Sequence, residues 1–160
     1  MKNIFSVLTI CLLSFGMWSC KAKYYEKHQE VAKRDILNWE ASDVKKFEVE
    51  IDDTQSKFNL GVVLRHHAKI AHPSVTVQVT ITSPSGKKTA KNQEIRLKDN
   101  AGKLVGEVAG DIVDVTSFVE KGYSFAEKGK YTFDVALVSK MSLTGFMSVG
   151  FVIEKPEAAK

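Results

Sequence analysis

Apolar and polar residues alternate with a period of two in run after run of this chain, and that pattern leaves few folds open. Phe47, Val49 and Ile51 alternate with Lys46, Glu48 and Glu50. Leu60, Val62 and Leu64 alternate with Asn59, Gly61, Val63 and Arg65, and Val75, Val77, Val79 and Ile81 with Thr76, Gln78, Thr80 and Thr82. Ile95 and Leu97 continue the series, followed by Tyr131, Phe133, Val135 and Leu137, and by Val149, Phe151 and Ile153. Successive side chains on a strand point to opposite faces, so each run reads as a half-buried antiparallel strand. Turn chemistry separates the runs at Ser83-Pro84-Ser85-Gly86, Asp99-Asn100-Ala101-Gly102 and Glu127-Lys128-Gly129-Lys130. Short strands at this spacing, with no sustained helical period, predict an all-β fold: an antiparallel β-sandwich, immunoglobulin-like or jelly-roll-like.

The 160 residues suffice for one such domain and are too few for two well-buried cores. A 44% hydrophobic and 26% charged composition excludes a disordered chain and a multispan membrane protein. The N-terminus is different in kind. Lys2 provides a positive start, and residues 4–15 are an apolar stretch too short to span a bilayer. Gly16-Met17-Trp18-Ser19-Cys20 ends it, with a small residue directly before a cysteine, as a lipoprotein signal requires. Residues 1–19 are therefore expected to leave as a signal peptide. Cys20 would then become the N-terminus, carrying diacylglycerol and an N-acyl chain, and no other cofactor is expected. Cys11 leaves with the signal, so the mature chain has no partner for a disulfide and no cysteine-based zinc site. Residues 20–42, polar and without alternation, read as a tether ending in a segment that docks on the domain, with Trp39 as a core or edge anchor. The sandwich is expected over 43–155 and a frayed tail over 156–160.

Constellations that carry chemistry are scarce. His66 and His67 are adjacent on an expected strand, so they face opposite ways and cannot chelate one ion together. His72 follows in a loop, and no carboxylate lies between residues 54 and 93, so no metal site is expected. The acidic pairs Asp52-Asp53 and Asp111 with Asp114 adjoin turn-forming residues. No Gly-x-Ser-x-Gly elbow and no phosphate-binding glycine loop is present, so no catalytic residues are assigned and the chain is read as a non-enzyme. A net charge of +4, without a dense basic stripe, gives no support for a nucleic-acid partner. Arg65, on the polar side of an apolar strand, reads first as a structural ion pair and second as a contact for an acidic partner. Arg65, His66, His67 and His72 are together the candidate partner-binding residues.

The order of several short pieces resembles the gliding motility lipoprotein GldH family of the Bacteroidetes. They are Phe47-Glu48-Val49-Glu50-Ile51, Leu64-Arg65-His66, Ser83-Pro84-Ser85-Gly86-Lys87, Leu97-Lys98-Asp99 with Gly102-Lys103-Leu104-Val105-Gly106, Gly110-Asp111-Ile112, Phe125 through Phe133, Leu143-Thr144-Gly145 and Val149-Gly150-Phe151. The chain departs from the family at Ala71-His72-Pro73-Ser74 and at Ala136-Leu137-Val138-Ser139. The resemblance implies an outer-membrane lipoprotein without known catalytic activity, an accessory or structural part of gliding machinery associated with type IX secretion. Its partners would be the membrane, through the lipid, and other envelope proteins. Lys21-Ala22-Lys23 stands where a surface-export signal would be acidic, so a periplasm-facing anchor is expected. The competing reading is a glycan- or peptide-binding envelope lipoprotein, with Tyr24, Tyr25, Tyr123 and Phe146 as candidate exposed aromatics.

Intact-mass measurement of the mature protein is expected to show cleavage before Cys20 and added acyl chains. Cys20→Ser is expected to abolish that added mass and release the chain from the membrane fraction. Protease shaving of intact cells is expected to leave the domain uncut.

Overall fold

The computed structural model describes residues 23–31 and 37–156. They form eleven strands: β1 (Lys23–Glu30), β2 (Asn38–Trp39), β3 (Lys45–Ile51), β4 (Phe58–His67), β5 (Ser74–Thr82), β6 (Lys88–Arg96), β7 (Glu107–Ala109), β8 (Ile112–Tyr123), β9 (Gly129–Leu137), β10 (Leu143–Thr144) and β11 (Phe146–Glu154). One sheet has the order β1-β11-β4-β8-β7, a second β3-β9-β5-β6, and β2 pairs with β10 in a short ribbon. All of these pairings are antiparallel, and no helix occurs among the described residues. The two larger sheets pack face to face as a β-sandwich.

Alternation decides which side chains meet in the middle. On β3 the residues at 45, 47, 49 and 51 are buried and those between are exposed; β5 and β9 repeat the pattern. Phe133 of β9 stacks on Phe151 of β11 at 4.4 Å between ring centroids, and Phe47 of β3 lies 6.0 Å from the same ring. One phenylalanine thus joins the two sheets at their centre. A second cluster, Phe58, Phe125 and Tyr131, closes one end, with Phe58–Phe125 at 5.4 Å and Phe125–Tyr131 at 4.9 Å. Trp39 seals the other end, fully buried, with its ring edge on Phe146 and its indole N–H donating to the Asp43 carbonyl at 2.9 Å. Burying rings of this size contributes on the order of 2–3 kcal/mol each.

The hairpins form where turn residues were read. Ser83-Pro84-Ser85-Gly86 links β5 to β6: the Gly86 N–H donates to the Ser83 carbonyl at 2.9 Å, and Gly86 takes φ +84°, which favours glycine. Asp99 closes its own turn, with the Gly102 N–H on its carbonyl at 3.0 Å.

Two strands differ from the sequence expectation. Lys23–Glu30 was read as part of a tether, yet it is the edge strand β1, hydrogen-bonded along β11 from Lys23↔Glu154 to Glu30↔Ser148. Its alternation is weak because an edge strand is half in solvent on both faces, so polar residues are tolerated all along it. The longest strand, β8, escaped notice for a related reason. Its inner residues Val113 and Val115 are buried, but the alternation breaks where irregular pairing with β4 interrupts the register near Glu120. The expected signal peptide, Cys20 and the residues after 156 lie outside the described residues.

Phe151→Ala is expected to destabilise the fold by about 3–5 kcal/mol, because it empties the centre of the inter-sheet stack. Val108→Ala, at an exposed edge, is expected to change stability by less than about 0.5 kcal/mol. Urea unfolding followed by tryptophan fluorescence checks both.

Candidate functional site

The outer face of the five-stranded sheet carries a polar groove of 340 Å³, built from its edges inward. Strand β4 runs through the sheet between β11 and β8. Its inward residues Leu60, Val62 and Leu64 fill the core, so Arg65 must point outward. There it faces Asp114, its cross-strand neighbour on β8. The guanidinium donates twice, Nε to Oδ1 at 2.8 Å and Nη2 to Oδ2 at 2.7 Å. This fork geometry holds the Asp114 carboxyl below the usual carboxylate range and raises Arg65. Glu107 of β7 stands opposite Asp114 on the far side. The chain enters β7 through Gly106, at φ +112°, where any Cβ would collide with the Asp114 carbonyl oxygen. Only glycine lets that wall of the groove close.

The other bank comes from β1. The His28 ring lies directly over Gly150 of β11, its Nδ1 2.6 Å from where a Cβ would sit. His28 Nε2 is 3.1 Å from Glu26 Oε1, and Lys23 Nζ donates to the same carboxylate's other oxygen at 2.5 Å. Lys23 holds Glu26 below its ordinary range, with His28 adding to the effect. Val63 forms the floor between the banks. The groove is therefore lined by ion pairs fixed on strands, each cation already matched by a carboxylate.

The structure separates the four candidate partner-binding residues. Arg65 lies in the groove. His66 does not reach any surface: it is wholly buried on the core side, edge-to-face with Phe146 at 6.3 Å between ring centroids. Its Nδ1–H donates to the His67 carbonyl at 3.0 Å, which leaves Nε2 buried with no partner among the described residues. Burial pushes its pKa down, so it is neutral. His67 points the other way, into an open hollow of 440 Å³ with Leu37, Ile70, Thr144 and Gly145, where its Nδ1 accepts the Lys69 N–H at 3.0 Å. His72 is half-buried in the loop before β5. Among the described residues no group of three or more His, Cys, Asp or Glu side chains is placed to hold a metal ion.

The expectation that His66 meets a partner is corrected here, because β4 runs on to residue 67 and its alternation carries His66 inward. Asp114, Glu107, Glu26 and His28 were not singled out as groove residues. Asp111 and Asp114 belong to different settings: the Asp111 carbonyl accepts the Ala68 N–H in the loop before β8, while Asp114 is on the strand. The alternation Val113-Asp114-Val115-Thr116 was the available signal.

Neutral His66 sets a pH dependence. Its folded pKa lies below the ordinary 6.5, so its contribution to stability is complete above pH 6.5 and is lost as pH falls through the folded value. Stability is expected to decline as pH falls below about 6.5, and His66→Phe is expected to flatten that decline. Chemical unfolding at a series of pH values measures it, and equal slopes for both proteins would refute the assignment.

Comparison with known proteins gives a family for the chain. A family model described as GldH lipoprotein matches residues 23–153, which runs from the first residue of β1 almost to the end of β11. The gliding motility lipoprotein GldH of Flavobacterium johnsoniae is 26% identical over 157 residues, covering 92% of this chain and 95% of that one. Among solved structures, the infectious bursal disease virus VP2 subviral particle aligns at a TM-score of 0.33 and 9% identity, over 84% of this chain and 34% of the viral one, too slight a likeness to bear on function. With a family model that matches from the start of β1 to the penultimate residue of β11, this chain belongs to the GldH lipoprotein family.

Proposed function

We propose that this gliding-motility lipoprotein acts without catalysis, as an accessory or structural subunit of machinery associated with type IX secretion. It is attached through lipid on Cys20 to the periplasmic side of the outer membrane, and it presents the outer face of its five-stranded sheet to another envelope protein. The observation that carries this reading is the Arg65–Asp114 fork. Such a pair, partly exposed, contributes only about 0–1 kcal/mol to stability. Its worth lies in a fixed pattern of charge that orients a partner and sets the rate of encounter. Beside it runs the open edge of β7, three residues long, with Val108 55% exposed and Ile112, at the start of β8, 37% exposed. An unpaired strand edge next to fixed charges suits the addition of a partner strand.

The groove is a poor small-molecule site, since such sites are mostly apolar and enclosed. The four aromatics that a glycan site would need are engaged elsewhere. Phe146 is in the core, Tyr24 packs its edge on Phe58 at 5.1 Å, Tyr123 packs on Phe125 at 5.0 Å, and the Tyr25 hydroxyl is buried.

Deletion of the gene is expected to abolish colony spreading in a gliding host. Complementation with Arg65→Ala or Asp114→Ala is expected to restore spreading poorly while changing stability by less than about 1 kcal/mol. Whole-cell crosslinking should capture the same envelope protein with the wild type and lose it with either variant. A deletion strain that glides and secretes normally would sink the proposal.

A further inference from the structure

One end of the sandwich is built as a lysine-rich pole, and the lipid-bearing residue is tied to that end. Strand β1 begins at Lys23, three residues after Cys20. Three residues reach at most about 11 Å, so an anchor on Cys20 holds this pole at the bilayer rather than leaving the domain on a long tether. The same end gathers the β3–β4 loop, the β5–β6 turn, the β8–β9 loop and the exit from β11. Their mutual contacts fix this. The Tyr24 hydroxyl donates to Asp52 at 2.6 Å, Lys155 Nζ donates to Asp53 at 3.0 Å, and the Ser85 hydroxyl donates to Glu127 at 2.6 Å.

Every one of those loops carries an exposed lysine: Lys57, Lys87, Lys128 and, beyond β11, Lys155, with Lys121 at the end of β8. Asp52, Asp53 and Glu127 are the acids of those loops, each held by a side chain of the pole itself, and Glu154 ends β11 beside Lys155. Lys57, Lys87, Lys121 and Lys128 make no ion pair with any described residue. The opposite pole carries Lys45, Lys69, Lys98, Lys103 and Lys140 interspersed with Glu40, Asp43, Asp99 and Asp111, of which Asp43 is paired with Lys45. Unpaired ammonium groups within a Debye length of an anionic surface are drawn to it.

We infer that the pole formed by Lys57, Lys87, Lys121 and Lys128 rests on anionic phospholipid head groups. This docks the domain end-on, with the sheet faces and the far pole directed away from the membrane. The inference rests on the proposed anchor at Cys20. It deepens that reading, because the charged pole fixes the domain's orientation and leaves the Arg65–Asp114 groove open to the side.

The test is amine acetylation with mass-spectrometric readout, on the full lipidated protein in phosphatidylglycerol/phosphatidylcholine vesicles, in pure phosphatidylcholine vesicles and in detergent. Lys57, Lys87, Lys121 and Lys128 are expected to label about fivefold more slowly on the anionic vesicles than on the neutral ones, and high salt should remove the difference. Lys69, Lys98, Lys103 and Lys140 should label alike throughout. The combined variant Lys57→Gln, Lys87→Gln, Lys121→Gln and Lys128→Gln should still float with vesicles, while Lys23 and Lys155 in it lose their protection on anionic lipid. Equal labelling of the two poles on anionic vesicles overturns the inference, and so does equal protection of the lysine pole on both lipids. In either case a lipidated mass and flotation leave the anchor standing. An unmodified mass with no flotation sinks the anchor and the orientation together.

Discussion

The stacking of Phe151 between Phe47 and Phe133 is the contact on which the other parts of this protein depend. It is the point where two sheets, each with one apolar face, remove those faces from water together. The chain passes from one sheet to the other at most of its links, from β3 to β4, β4 to β5, β6 to β7, β8 to β9 and onward to β11. Only β5–β6 and β7–β8 are hairpins within a sheet. Neither sheet can therefore assemble alone from neighbouring segments. Inter-sheet burial must form along with strand pairing, and topologies with such distant contacts fold slowly.

A rigid core has consequences for the outer surface. Because the inward side of β4 is fixed by Leu60, Val62 and Leu64, the outward position of Arg65 is fixed too, and its fork to Asp114 needs no rearrangement to meet a partner. Three glycines with different tasks shape that surface. Gly106 lets β7 approach the Asp114 carbonyl, Gly150 makes room for the His28 ring, and Gly61 makes room for Phe118. Side chains at Gly106 or Gly150 would push apart the banks of the groove. The groove is thus a property of backbone spacing as much as of charge.

The same sheet would link the proposed anchor to the proposed docking face. Strand β1 contributes Lys23 and Glu26 to the groove and, a few residues earlier in the chain, would join the lipid-bearing cysteine. A partner that pulled on the groove would load β1 along its length. Its pairing with β11 spans Lys23↔Glu154 to Glu30↔Ser148, an antiparallel ladder loaded in shear.

Local sequence determined the sandwich class, the central strands and the turns, because alternation and turn chemistry are short-range properties that a single face of burial imposes on each strand. It also singled out Arg65 and gave the structural ion pair as its first reading. What it left open was where the chain pairs with residues far away. Strand β1 is polar because it lies at an edge, and β8 is irregular because of its partner β4. His66 looks like a surface histidine until the strand's length carries it into the core. Asp114 became Arg65's partner, and five scattered lysines were gathered at one pole, only through the register of antiparallel strands. Register is set by which distant faces bury each other, and that information is carried by the whole packed core rather than by any one stretch of it.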